Sequence, residues 1–199
     1  MFSTSRNNTP EKLFWQWFEK NSAKLMKFES DRDATFDELT DQLRQVHPDL
    51  TFEFGPIING KREFVVSADG IRDAFPAVKS LVDAAPSLEE WIIIPFRPPK
   101  GTEFIIQIGD YSLGAEDIWF SYEPDGDRIG LILYIKGLSV ENEDVAAQAS
   151  FILLDGALGE YAVEEKIGFI ERIALPDDPK VFDLHPFASI REIVENQTP

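Results

Sequence analysis

The chain has 199 residues, 43% of them hydrophobic and 28% charged, which are the proportions of a folded globular protein rather than a disordered one. A chain of this length buries about 70% of its unfolded surface without a disulfide or metal staple, and the absence of cysteine excludes disulfides, thiolate nucleophiles and Cys-based zinc sites together. A formal charge of −17 disfavours nucleic acid and anionic membranes as partners, because phosphate surfaces reward Lys and Arg.

Thr9-Pro10-Glu11 sets a capping residue before a proline at a first helical position, and Leu13, Phe14, Trp17 and Phe18 follow at helical spacing. A second helix carries Phe36, Leu39, Leu43 and Val46 on one face and ends before Pro48. Residues 1–48 are therefore expected to be a helical N-terminal segment. Phe52 and Phe54 then alternate with polar neighbours, Asn59-Gly60 signals a type I′ hairpin, and Phe64-Val65-Val66 resumes the extended run. A strict two-residue loop pairs Phe54 with Val65, whereas a bulge would pair it with Phe64, so the register is open.

Phe75, Val78, Leu81 and Val82 predict a short helix ending near Pro86, and Trp91-Ile92-Ile93-Ile94 reads as a strand buried on both faces. Arg97-Pro98-Pro99-Lys100-Gly101 breaks it, and residues 104–108 are a further strand. Over residues 117–136, Asp125-Gly126 separates two alternating runs. With those two residues as the loop, Tyr122 faces Ile129, Phe120 faces Leu131 and Ile118 faces Leu133 on the core side. Glu123 then faces Arg128, and Trp119 faces Ile132, on the reverse.

Asn142, Glu143 and Asp144 make an acidic helix start; Val145, Ala149, Ile152 and Leu153 form its stripe, and Gly159 stops it. A strand through Ile167, Phe169, Ile170 and Ile173 follows, and Pro186 opens a last helix bearing Ile190 and Val194. Because hairpins dominate the connections, the expected fold is α+β: a single domain over residues 1–199 with a largely antiparallel sheet of six or seven strands and helices packed on it. No repeat, low-complexity segment or internal linker is visible. The start has no apolar signal core, and the apolar stretches near residues 91–96 and 131–135 fall short of the roughly 20 residues of a membrane helix. A cytoplasmic address is expected.

The charge is unevenly placed: residues 1–100 hold 13 Lys/Arg against 16 Asp/Glu, and residues 101–199 hold 6 against 20. Asp110, Glu116, Asp117, Glu123, Asp125 and Asp127 stand together without an intervening base. Hard cations favour such oxygens, but calcium-loop spacing is missing and Asp125-Gly126-Asp127 is turn chemistry. Asp155 interrupts an apolar run, and with Glu160 it forms a candidate buried carboxylate site. His47 and His185 each precede a proline with no nucleophile elbow, HExxH motif, phosphate loop or dinucleotide fingerprint nearby. Lys61-Arg62 and Arg97 with Lys100 are candidate anion holders in the less acidic half, set against their place in turns, where Lys and Arg are ordinary solvated bases. No catalytic residue, cofactor or metal is expected, and the oligomeric state is open.

The segment Leu153-Leu154-Asp155-Gly156-Ala157-Leu158-Gly159-Glu160-Tyr161, with Ile167-Gly168 downstream, resembles a group of bacterial proteins defined as a domain of unknown function. The resemblance extends faintly to the hairpin over residues 52–69. It implies a bacterial cytosolic setting and no catalytic residues. The functional expectation is an inhibitor, immunity-type or adaptor module that docks a basic protein partner, with Asp117, Trp119, Glu123, Asp125 and Asp127 as contacts. The alternatives are a carboxylate-dependent, metal-assisted hydrolase and a small-ligand binder with an aromatic pocket.

Overall fold

A computed structural model describes residues 8–197. Two compact units make up the structure, Met1–Arg97 and Pro98–Pro199, each with its own hydrophobic core.

In the first unit, helix α1 (Pro10–Met26) starts where its capping residue predicts, with Thr9 Oγ1 accepting the Lys12 backbone N–H at 3.4 Å. Its buried side is Phe14, Trp15, Phe18 and Leu25, while Leu13 is exposed. The Trp15 indole N–H reaches the Leu81 carbonyl at 2.7 Å, which satisfies the ring's one polar atom inside the core. Helix α2 (Arg32–Arg44) buries Leu39 and Leu43.

Strands β1 (Thr51–Ile58) and β2 (Lys61–Ser67) form the expected hairpin, with Asn59 and Gly60 both at positive φ, 52° and 78°, as a type I′ turn requires. Ile57 lies opposite Arg62 but Phe54 lies opposite Phe64, so β1 carries a bulge at Gly55-Pro56. Pro56 has no N–H to leave unpaired, and a Cβ on Gly55 would come 2.5 Å from Glu63 Oε2. The bulge brings Phe54 onto the face of Phe64. There the Phe64 ring lies 4.9–6.4 Å from those of Phe14, Trp15, Phe18, Phe52, Phe54 and Trp91.

Helix α3 (Phe75–Asp83) then crosses to β3 (Trp91–Pro95), which pairs with β2 in parallel, giving the order β1-β2-β3. The expected burial of β3 on both faces is corrected, because β3 is an edge strand and Ile92 is 39% exposed.

The second unit begins with a two-stranded hairpin, β4 (Ile105–Ile108) and β5 (Tyr111–Gly114). Strands β6 (Ile118–Asp125) and β7 (Arg128–Ile135) follow, then helices α4 (Glu143–Leu158) and α5 (Glu160–Lys166), β8 (Ile167–Ala174), the short β9 (His185–Pro186) and α6 (Ile190–Gln197). Their sheet has the order β8-β7-β6-β9, with β7 and β8 parallel. The β6–β7 turn is Gly126-Asp127, with only Gly126 at positive φ (64°), as in a type II′ turn. The expected pairs therefore slip by two residues: Tyr122 faces Leu131, Phe120 faces Leu133, Trp119 faces Tyr134 and Glu123 faces Gly130. A slip of two keeps every side chain on its face, so the core side survives the correction.

Helix α4 buries Ala146, Ala149, Ser150, Leu153, Leu154, Ala157 and Leu158, while Ile152 of the expected stripe is 40% exposed. Asn142 does not cap α4 with its side chain; it accepts the Ser139 N–H and donates to the Gly137 carbonyl, both at 2.9 Å. Gly159 ends α4 as predicted, yet α5 restarts at the next residue.

One sheet of six or seven strands is thus corrected to three sheets of three, two and four strands. Two pairs are parallel because α3 in one unit, and α4 with α5 in the other, return the chain to the same end of the sheet. Each unit thus repeats one plan, a hairpin and then a helical crossover to a strand beside the hairpin's second member. Among the described residues no helix is long and apolar enough to cross a membrane.

Gly159 sits at φ 85°, ψ 149°, a region open to glycine alone. Gly159→Ala should lower the unfolding free energy by about 1–3 kcal/mol in denaturant titration; an unchanged midpoint would mean that the α4–α5 junction relaxes freely.

Candidate functional site

Paired residues on neighbouring strands share a face, and successive residues alternate. Ile118, Phe120, Ile129, Leu131, Leu133 and Ile135 point into the second unit's core with Leu153, Leu154, Ile190 and Val194. The opposite face of the four-stranded sheet therefore carries Trp119, Ser121, Glu123 and Asp125 of β6, Arg128, Gly130, Ile132 and Tyr134 of β7, and Phe169, Glu171 and Ile173 of β8. Ile173 is 41% exposed, Glu123, Asp125 and Glu171 are exposed, and Trp119, Ile132, Tyr134 and Phe169 are half-buried. An aromatic and aliphatic band thus lies open on one side of the sheet.

Local packing fixes its shape. The Phe169 ring lies against Gly130, where a Cβ would overlap it, and the Asp125 carboxylate occupies the space a Cβ on Gly168 would need. Gly168 is the extra residue of the irregularity between Ile129 and Gly130 in the β7–β8 ladder. The Ser121 hydroxyl donates to the Tyr134 hydroxyl at 3.4 Å across the strands.

Of the acids expected to act together, Glu123, Asp125 and Asp127 gather at the hairpin tip, where Glu123 and Asp127 border a cleft with Tyr122, Pro124, Gly126, Arg128 and Ile129; Asp125 lies opposite Arg128. The expected Glu123–Arg128 ion pair does not form, and among the described residues Arg128 has no ion pair. Asp117 stands at the other end of β6, roughly 26 Å away at the rise of a strand. Its Oδ2 accepts the Gly114 N–H at 3.2 Å and its Oδ1 lies 3.8 Å from Lys136 Nζ, so it closes the turn into β6. Asp110 sits in the β4–β5 turn and Glu116 in the single turn before β6. Among the described residues no three acidic or histidine side chains are grouped to hold a metal.

Glu160 is the buried carboxylate that the sequence suggested, 1% exposed in the first turn of α5. Asp155 is only half-buried, on the other side of Gly159, and its carbonyl accepts the Gly159 N–H at 2.8 Å. Gly156 leaves room for the Phe104 ring, and its carbonyl takes the Lys100 and Gly101 N–H groups at 2.7 and 3.1 Å. The glycines of residues 153–161 therefore have packing tasks. His47 Nδ1 accepts the Asp49 N–H at 3.3 Å, and the His185 ring lies 5.5 and 5.7 Å from those of Phe120 and Tyr122. The expectation of solvated bases is corrected for Arg62, which is 6% exposed, and for Arg97, whose side chain is 14% exposed and bonds Asp69 at 2.8 Å.

Tyr134, Phe169 and Ile173 were absent from the sequence candidates: Tyr134 comes opposite Trp119 only in the shifted β6–β7 register, and the place of Phe169 and Ile173 follows only from the parallel β7–β8 pairing. No family model, curated protein or solved structure matches the chain, so geometry alone guides the functional assignment.

Two outcomes test this geometry. Gly130→Ala should eject the Phe169 ring and cost about 1–3 kcal/mol, the usual effect of overpacking; a change within ~0.5 kcal/mol in denaturant titration would refute the close contact. The Tyr111 hydroxyl is buried and finds no hydrogen-bond partner among the described residues. Burial pushes its pKa above the ordinary phenol value, and the negative Asp117 adds to this. Since the folded pKa is raised, the neutral ring's stabilising effect is present below the unfolded value of about 10 and is lost as pH rises through the folded one. Tyr111→Phe should remove one late-ionising phenol from an alkaline absorbance titration and leave stability at neutral pH unchanged or higher.

Proposed function

We propose that this protein is a cytoplasmic interaction module of the inhibitor or immunity type, which docks a basic protein partner on the open face of the β8-β7-β6-β9 sheet. The observation that carries this reading is that Trp119, Ile132, Tyr134, Phe169 and Ile173 share that face with Glu123, Asp125 and Glu171. Aromatic anchors at the centre of a patch and charge at its rim are the arrangement of energetically focused interfaces. The surplus of acids over bases in residues 101–199 adds a long-range field that speeds the encounter with a cationic surface and makes it sensitive to salt. A metal-assisted hydrolase finds less support, since its carboxylates are spread along β6 and the β4–β5 turn.

Titration with a panel of Arg- and Lys-rich peptides tests the reading. Wild type should bind with a Kd that rises with ionic strength; Trp119→Ala and the triple variant Glu123→Lys, Asp125→Lys, Asp127→Lys should each weaken binding at least about tenfold. Affinity unaffected by both would exclude this face as the docking surface.

A further inference from the structure

A second site lies wholly within the first unit and is independent of the sheet face. Phe28 comes from the single helical turn Phe28–Ser30 between α1 and α2, Phe36 from α2, and Phe52 and Phe54 from β1. Their rings form a connected wall, with Phe28 stacked on Phe54 at 5.0 Å, Phe28 and Phe36 at 5.1 Å, Phe36 and Phe52 at 5.0 Å, and Phe52 and Phe54 at 5.4 Å. All four are only partly buried. With Glu29, Arg32 and Glu53 they line an open groove of about 600 Å³, within the size range of small-molecule sites.

The charges around this wall are not equivalent. Arg62 lies over the Phe28 ring at 4.6 Å and its Nη2 donates to Glu29 Oε1 at 2.6 Å. That hydrogen bond holds the Glu29 carboxyl below the ordinary carboxylate range. Glu53 Oε1 lies 4.0 Å from Arg97 Nε. Both carboxylates of the groove are therefore matched by guanidinium groups of the same unit. Arg32 is not. It is exposed, its guanidinium lies 5.2 Å from the Phe36 ring centre, and among the described residues it makes no hydrogen bond or ion pair. In a chain with 36 acids and 19 bases, an unpaired arginine at the mouth of an aromatic groove is a specific feature. Its planar fork of N–H donors matches a carboxylate or sulfonate.

We infer that this groove binds a small organic anion with an aromatic body, the ring lying among Phe28, Phe36, Phe52 and Phe54 and the acid group on Arg32. A cationic ligand is disfavoured, because Glu29 and Glu53 are already engaged and Arg32 would repel it.

The test uses the full chain and the fluorescent aromatic sulfonate 1-anilinonaphthalene-8-sulfonate. Saturable one-site binding is expected, competed by 3-phenylpropionate but not by 3-phenylpropylamine, which has the same body and the opposite charge. Arg32→Gln, a surface change, should raise the Kd about tenfold with no shift in the thermal midpoint, and Trp119→Ala should leave it unchanged. Absence of saturable binding, equal competition by the amine, or unchanged affinity in Arg32→Gln would overturn the assignment. So would a loss in Trp119→Ala alone, since the probe would then be reporting the sheet face of the second unit.

Discussion

Each unit is organised by the need to cover one face of a central strand that is hydrogen-bonded on both sides. β2 and β7 each receive an antiparallel neighbour from a tight hairpin and a parallel one from a crossover. A parallel neighbour cannot be reached by a short turn, so the chain must travel back along the sheet, and the helix that carries it supplies apolar cover on the way. Phe64 in one unit and Leu131 in the other are fully buried in consequence. The side left without such cover in the second unit is the one on which Trp119, Tyr134 and Phe169 lie.

What was legible in the sequence follows from periodicity and turn chemistry, and what was not follows from pairings between distant segments. Asn59-Gly60 located its hairpin correctly, and the bulge weighed there is the one that forms. At the second hairpin the glycine is the first loop residue rather than the second, which moves the register by two; the core face was still right because two is the strand period. The parallel β2–β3 and β7–β8 pairs leave no local signature, so one antiparallel sheet was expected where three sheets exist. For the same reason Trp119 and Glu123 were recognisable as sharing a face, whereas Phe169 and Ile173 were not; Asp125, read as a loop residue, is the last residue of β6. Asp117 carried the right charge but is occupied by the turn before β6. The groove of the first unit draws its four rings from three elements, each of which looks locally like core.

The two proposed surfaces differ in chemistry as well as in place. The sheet face presents aromatics beside uncompensated carboxylates, which suits a cationic macromolecule. The groove encloses aromatics beside matched carboxylates and one unmatched guanidinium, which suits a small anion. Composition alone conceals this difference, since the overall surplus of acid masks an arginine whose neighbours leave it unpaired.

The bulge at Gly55-Pro56 has a consequence outside the folded monomer. β1 is the outermost strand of its sheet, and a straight outer strand offers a regular row of amide donors and acceptors onto which another chain can zip, the first step towards cross-β assembly. A proline that lacks a donor and an extra residue that bends the backbone interrupt this row midway along the edge. The irregularity that aligns Phe54 with Phe64 therefore also guards a sheet rich in phenylalanine against fibril growth.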